Sequence, residues 1–100
     1  MAGAAKHLAT QIPRGHRSLA DHLMRAATNT VLLLAEGANR RGVGEKRQRF
    51  VESRGECGEA AAAADLAFVM DLAQLADVEE WKLLAGRVSA MLTRLIARLR

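Results

Sequence analysis

Residues 78–100 carry apolar side chains at intervals of three and four positions along their whole length. This spacing places them on one face of an α-helix, which turns once every ~3.6 residues. Asp77, with Glu80 three positions later, is a variant of the capping box that begins helices. The stretch therefore predicts an amphipathic helix that buries one face against other helices. The stripe consists of Trp81, Ala85, Val88, Leu92, Leu95 and Leu99, and is widened by Leu84, Met91 and Ile96.

The kinds of apolar residue in the chain extend the helical prediction to the rest of the sequence. Ala and Leu dominate, whereas the aromatics are only Phe50, Phe68 and Trp81, with no Tyr. Ala, Leu, Arg and Glu are strong helix formers, and the mixture of β-branched and aromatic residues that strands use is scarce. A length of 100 residues suits one domain with one modest core. We therefore expect an all-α chain.

Breaker and capping residues divide the chain into four helical segments. Pro13 ends the first because it lacks a donor and disfavours helix at the preceding residue. Ser18 is a good N-cap and Gly37 a good C-terminal stop for the second, and the glycines of residues 38–44 indicate a loop. The expected helices cover residues 2–11, 18–36, 45–76 and 78–100. They predict an up-and-down antiparallel four-helix bundle with a shortened first helix.

The second helix is apolar on nearly every side. Leu19, Leu23 and Leu34 share one face, but Leu32 and Leu33 lie off it. A helix that is apolar all round is usually buried all round, and a small bundle cannot bury an outer helix in that way. The short first helix leaves further apolar surface uncovered. We therefore expect copies of the chain to associate, with Leu32 and Leu33 as interface or structural residues.

Small residues interrupt the third helix at Gly55 and Gly58 and continue through residues 60–64. Each glycine costs up to about 1 kcal/mol relative to Ala. Small side chains let a neighbouring helix approach closely, so the segment indicates a crossing point or a bend. A drift in composition towards alanine is the alternative, and the residues alone do not choose between the two.

The connection between the second and third helices is the main candidate for a binding site. Its cations are clustered enough to neutralise several phosphates, and their position near a helix N-terminus opposes the helix dipole, so they do not stabilise the helix. Gly42 and Gly44 allow the backbone to approach a phosphate. A solvated charged turn is the alternative. The candidate nucleic-acid-binding residues are Arg40, Arg41, Lys46, Arg47 and Arg49.

The overall charge points to the same class of partner. A net charge of +4 favours acidic partners such as RNA or DNA. Arg94, Arg98 and Arg100 form a second basic edge, which a favourable interaction with the helix dipole is sufficient to explain. No aromatic residue is interleaved with either cluster, so stacking of unpaired bases is not expected.

Other classes of function lack the residues that they need. Cys57 is the only cysteine, which excludes an internal disulfide and a Cys-rich zinc site and suits a reducing cytoplasm. No stretch approaches the ~20 apolar residues of a membrane span. No Glu precedes a histidine by three positions, as a di-iron bundle requires, and no serine lies in a nucleophile motif. We expect a cytoplasmic, non-enzymatic protein without metal, cofactor or membrane contact.

Several short pieces occur in a recognisable order along residues 12–100. They are Ile12-Pro13, Leu19, Met24-Arg25-Ala26-Ala27, Ala35-Glu36-Gly37, Arg40-Arg41-Gly42, Phe50, Gly55, Glu59 and the Leu-rich run 91–96. This ordered set resembles the bacterial four-helix bundle proteins encoded in 23S rRNA intervening sequences. The serine that usually follows the third-helix glycine in that family is Glu56 here, and the first helix is shorter than usual.

The resemblance implies partners that the residues alone do not show. It implies a homo-oligomer, commonly a pentamer, and, through a fold relative in diversity-generating retroelements, contact with RNA or DNA. It implies no enzymatic activity. The resemblance also makes Glu36, Gly37, Gly55 and Glu59 candidate interface or structural residues, because each lies where the family carries such a residue. We expect each Glu to pair with an arginine, such as Arg25 or Arg54, rather than to act in acid–base catalysis. A scaffold that holds a protein partner is the alternative to nucleic-acid binding.

Overall fold

The computed structural model describes residues 1–99, and its regular elements in that range are all helices. They pack into a rod with principal extents of 43 × 20 × 18 Å. A 3-10 turn, Arg14–His16, joins the first two α-helices. The α-helices are α1 (Ala2–Gln11), α2 (Arg17–Asn39), α3 (Val43–Val69) and α4 (Leu75–Arg98). The predicted all-α class, with four helices packed as a bundle, is confirmed.

Helices α2, α3 and α4 run antiparallel to their neighbours in the chain. The Ser53 hydroxyl of α3 donates to the Thr30 carbonyl of α2 (2.7 Å), and the Trp81 indole of α4 donates to the Ala60 carbonyl of α3 (3.2 Å). Helix α1 packs between α2 and α4 at one end of the rod. It has 10 residues against 23 in α2, so it accompanies only one half of the bundle, here called the α1 half. The other half contains three helices.

The core combines small side chains on α3 with a few large ones from the other helices. In the α1 half, α3 turns buried alanines towards its neighbours, and Trp81 is fully buried against them. Because Ala projects little, neighbouring helices approach α3 closely. The three-helix half has a separate cluster of Phe50, Leu92 and Ile96. The α4 stripe predicted from its spacing therefore supplies large side chains to both parts of the core. The buried alanines of α3 are Ala60, Ala63, Ala64 and Ala67.

The third helix ends at Val69, seven residues before its predicted end. Asp71 has a left-handed conformation (φ 57°). The Leu72 amide donates to the Ala67 carbonyl, and the Asp71 amide donates to that of Phe68. These bonds form a Schellman motif, which closes a helix and usually has glycine in the left-handed position. With Asp there, the sequence carried no recognisable stop signal, and the prediction of helix to residue 76 was wrong.

Helices α2 and α4 begin earlier than predicted, because the residues expected to cap them do not act as caps. Helix α2 begins before Ser18 and α4 begins before Asp77, and neither helix has a side-chain cap at its start. The Asp77 carboxylate instead accepts a hydrogen bond from Gln11 Nε2 (2.6 Å), which ties α1 to α4. The predicted end of the last helix, at residue 100, lies outside the described residues.

Gly37 was predicted to end α2, but it lies within the helix. A Cβ atom at Gly37 would lie 2.6 Å from Cε1 of Phe50. Real Cβ atoms do not approach other heavy atoms so closely, so the missing side chain is what lets the Phe50 ring pack on the α2 backbone. The helix continues to Asn39, and the predicted loop at residues 38–44 is reduced to residues 40–42.

Gly55 and Gly58 lie on the exposed side of α3. No heavy atom of a packing neighbour lies within 4 Å of the place that a Cβ would take at either residue. Helix α3 runs through both without interruption. Gly58 lies at the edge of a small cleft that α4 borders with Ala85 and Gly86, and a Cβ atom at either glycine would still lie in open space.

Alanine substitutions at Gly37 and at Gly58 should have opposite effects on stability. We expect Gly37→Ala to lower the free energy of unfolding by about 1–3 kcal/mol, because Phe50 must move. Gly58→Ala, the matched control, should raise it by about 0.5–1 kcal/mol through helix propensity alone. Urea unfolding followed by circular dichroism measures both. Equal effects at the two positions would contradict the Gly37–Phe50 packing described here.

Candidate nucleic-acid interface

The connection between α2 and α3 is closed by Lys46. Its Nζ donates to the carbonyl oxygens of Gly37 and Ala38, both at 3.1 Å. These carbonyls lie in the last turn of α2, where helical partners run out and where a positive charge interacts favourably with the helix dipole. Lys46, predicted to bind nucleic acid, is therefore engaged within the chain and shapes the loop beside it.

Arg49 is also engaged within the chain. Its Nε lies 3.4 Å from Glu36 Oε2, and its NH1 lies 3.1 Å from Glu52 Oε2. The Gln48 amide donates to Glu52 Oε1 (2.9 Å), and this bond, together with those from Arg49, lowers the pKa of the Glu52 carboxyl from its ordinary value. Glu52 is thus ionised at neutral pH and keeps Arg49 paired.

The other three predicted cations remain free. Arg40, Arg41 and Arg47 are exposed, and within residues 1–99 none has a carboxylate oxygen in salt-bridge range. Arg40 follows the last residue of α2, Arg41 lies in the loop, and Arg47 lies in the second turn of α3. The structure thus divides the predicted set into two residues that fix the loop and three that can meet a ligand.

Helix α4 brings further arginines to the same end of the rod. Arg54 NH1 donates to Thr93 Oγ1 (3.3 Å), and Phe50 packs with Leu92 and Ile96, which places the last turns of α4 beside the first half of α3. Arg94 and Arg98 are exposed and have no carboxylate partner in the described part of the chain. From the sequence, the helix dipole is sufficient to explain this second edge, but antiparallel helices bring it to the same end as the α2–α3 loop. Arg100 lies outside the described residues. We call Arg40, Arg41, Arg47, Arg94 and Arg98 the basic end.

The charge of the chain is concentrated at the basic end. Residues 36–54 and 93–99 contain eight of the fifteen Lys and Arg residues but only three of the eleven acids. The rest of the sequence has slightly more acids than Lys and Arg residues. A region of net positive charge on an otherwise balanced molecule attracts a polyanion and orients it. The basic end is therefore the surface best suited to phosphate.

The two acids carried over from the family resemblance do not meet. Glu36 pairs with Arg49, and Glu59 Oε2 lies 3.8 Å from His22 Nε2. Residues 22 and 36 are 14 positions apart on α2, which is about 21 Å along a helix. The two carboxylates cannot share a proton or a substrate bond across that distance, so this chain alone does not form a paired acid–base site from them.

Glu36 pairs with an arginine as expected, but the partner is Arg49, and neither Arg25 nor Arg54 pairs with either acid. Arg25 NH2 is hydrogen-bonded to His22 Nδ1 (3.1 Å), and Arg54 reaches α4 instead. Glu59 and His22 lie at an open cleft of about 700 Å³ in the α1 half. No cluster of three His, Cys, Asp or Glu residues arranged for a metal ion occurs among residues 1–99. The cleft is lined further by Gly15, His16, Ser18, Leu19, Ala62, Ala63, Leu66 and Met70.

Cys57 is buried and held by a hydrogen bond. Its side chain is 1% exposed, and Sγ donates to the Ala85 carbonyl at 3.3 Å. Burial raises the pKa of the Cys57 thiol. The thiol is therefore protonated at neutral pH and packs as part of the core.

Exposed large apolar side chains are grouped in two places, and Val43 and Leu83 are exposed singly. On α2, Leu32 is 55% exposed, Val31 is also exposed, and Leu33 is half-buried. A second group surrounds the turn from α3 to α4, at the opposite end of the rod from the basic end. None of the described helices is both long enough and apolar enough to cross a membrane. We call the second group the apolar end; it consists of Leu66, Phe68, Val69, Met70 and Leu75.

A comparison with known families covers nearly the whole chain. Residues 4–94 match the family described as 23S rRNA-intervening sequence protein. The chain belongs to this family. The match includes most of all four helices and, of the basic end, every residue except Arg98. It confirms the resemblance found in the sequence. No curated protein is similar enough in sequence to count as a match.

The loop-closing contact predicts a measurable difference between two neighbouring cations. We expect Lys46→Met to lower the free energy of unfolding by about 1 kcal/mol, because the carbonyls at the end of α2 lose a charged donor. Arg47→Met, which removes an exposed cation without such contacts, should change it by less than about 0.5 kcal/mol. Chemical denaturation of both variants provides the comparison. Equal stability of the two would show that Lys46 does not fasten the loop.

Proposed function

We propose that the protein is a non-enzymatic, oligomeric bundle that associates with RNA or DNA through its basic end. The observation that carries the proposal is the group of five exposed arginines, without carboxylate partners among residues 1–99, at one end of a molecule that is otherwise close to neutral. Arginine presents a planar fork that matches phosphate oxygens. A family description that refers to the 23S rRNA intervening sequence supports an RNA-related setting.

Self-association is part of the proposal. Leu32 and Val31 are exposed side by side on α2, and α1 accompanies only the other half of the bundle. Burying such a group against another copy would contribute roughly 25 cal/mol per Å² of apolar surface removed from water. In a ring, for which the family resemblance favours a pentamer, the basic end is repeated in every subunit, and several weak phosphate contacts add up to stronger binding.

The nucleic-acid proposal predicts a selective loss of binding. We expect Arg40→Gln/Arg41→Gln to weaken binding of a structured RNA and to reduce the slope of log affinity against log salt by about 2, because two phosphate contacts are lost. The control, Arg14→Gln/Arg17→Gln, removes two exposed arginines from the α1 half and should bind as the wild type does. Fluorescence anisotropy over a salt series measures both. Absence of wild-type binding at low salt would contradict the proposal.

The oligomer can be tested separately from the ligand. We expect multi-angle light scattering to give a mass several times that of the 10.8 kDa chain, and Leu32→Gln to shift it towards the monomer. Leu83→Gln, a control at a position 59% exposed on α4, should leave the mass unchanged. A folded wild-type monomer at high concentration would remove self-association from the proposal.

A protein-interaction scaffold is the second candidate, and the apolar end favours it. Five large apolar side chains are grouped around one turn there, and grouped exposure of this kind is typical of interaction surfaces. The scaffold predicts that nuclease-treated pull-downs recover one protein with the wild type and with Arg40→Gln/Arg41→Gln, but lose it with Val69→Ser/Met70→Ser. Recovery of that protein only when the nuclease is left out would instead favour the nucleic-acid candidate.

Catalysis is not part of the proposal. Glu36 of α2 pairs with Arg49 of α3, and Glu59 of α3 pairs with His22 of α2, so the two acids lie far apart along the bundle. The Cys57 thiol is buried. The arrangement of the described residues therefore gives phosphate binding more support than bond making or breaking.

A further inference from the structure

The basic end has no exposed aromatic side chain among residues 1–99. Phe50 is 4% exposed and Trp81 is fully buried, and there is no tyrosine. Phe68, 39% exposed, lies at the apolar end. Unpaired bases are usually bound by stacking on aromatic rings, at about 1–3 kcal/mol per base. A single strand on this surface would therefore leave its bases without that contribution.

Histidine rings, which also stack on bases, do not supply the missing surface. The three histidines of the sequence, His7, His16 and His22, all belong to its first 22 residues. They lie on α1, the 3-10 turn and the start of α2, which form the α1 half. The cations that the basic end presents to a ligand are thus guanidinium groups, whose planar forks match phosphate oxygens and which can also lie against a base.

The density of phosphates distinguishes double-stranded from single-stranded nucleic acid. A duplex carries one negative charge per ~1.7 Å of its axis, twice the density of either of its strands. The end of the rod is 20 by 18 Å across, so a duplex lying over it places about twelve charges along that width. Cations from the α2–α3 loop and from the end of α4 can then meet both strands at once. A duplex also keeps its bases stacked internally.

We propose that the basic end recognises double-helical nucleic acid through its phosphates and does not select single strands. This inference depends on the proposed function and specifies its ligand. Arg40, Arg41 and Arg47 approach the duplex from the α2–α3 side, and Arg94 and Arg98 approach it from α4. Because every contact is with the backbone, base sequence has little effect on binding.

The test compares one RNA in two forms. Full-length protein is titrated, at about 50 mM salt, into a labelled RNA duplex of about 20 base pairs and into one of its strands chosen to be unstructured. We expect the duplex to bind about tenfold more tightly and to show the steeper salt dependence. Equal or tighter binding of the single strand overturns the duplex inference alone. Absence of binding to both overturns the proposed function as well.

A pair of variants shows which surface is responsible. Arg94→Gln/Arg98→Gln removes the α4 side, and both residues are exposed and have no carboxylate partner among residues 1–99, so circular dichroism should be unchanged. We expect duplex affinity to fall about tenfold at low salt, with a smaller change for the single strand. Phe68→Ser, the control, should change neither. Loss of single-strand binding in Phe68→Ser, or unchanged duplex binding in the arginine variant, would contradict the inference.

Discussion

The close approach of α2 to α3 is the contact on which the rest of the molecule depends. It is made possible by Gly37, whose missing side chain receives the ring of Phe50, and by the buried Ser53 hydroxyl, which bonds to the Thr30 carbonyl. These two contacts fix the register of the antiparallel pair at two points. With that register, Lys46 reaches the end of α2, so the same contact that builds the core also shapes the loop that carries free arginines.

The packing of α4 on α3 completes the candidate site. Trp81 is buried against α3 and bonds to the Ala60 carbonyl, and this anchor directs the remaining turns of α4 towards the α2–α3 loop. Arg94 and Arg98 thereby join cations that lie some 50 residues earlier in the sequence. The basic end is therefore a product of tertiary structure, since no single segment of the chain contains it.

The sequence predicted the helical class and the number of helices because both follow from local spacing and composition. It failed at helix ends, because a single residue can determine where a helix ends. Asp71 ends α3 in a left-handed conformation that glycine usually adopts. Gly37 does not end α2 but makes room for the Phe50 ring. The sequence identified the α2–α3 cations by clustering, but not that Lys46 and Arg49 are occupied. Such pairings depend on helix register, which spacing within one segment does not reveal.

The central claim is that nucleic acid contacts the basic end and no other part of the surface. Hydrogen–deuterium exchange of the full chain, with and without a structured RNA, tests it most directly because it locates the contact without any substitution. The account predicts slower amide exchange, on adding RNA, in residues 40–49 and 93–98, with no change around the turn from α3 to α4. Protection confined to the α1 half or to the apolar end would contradict it.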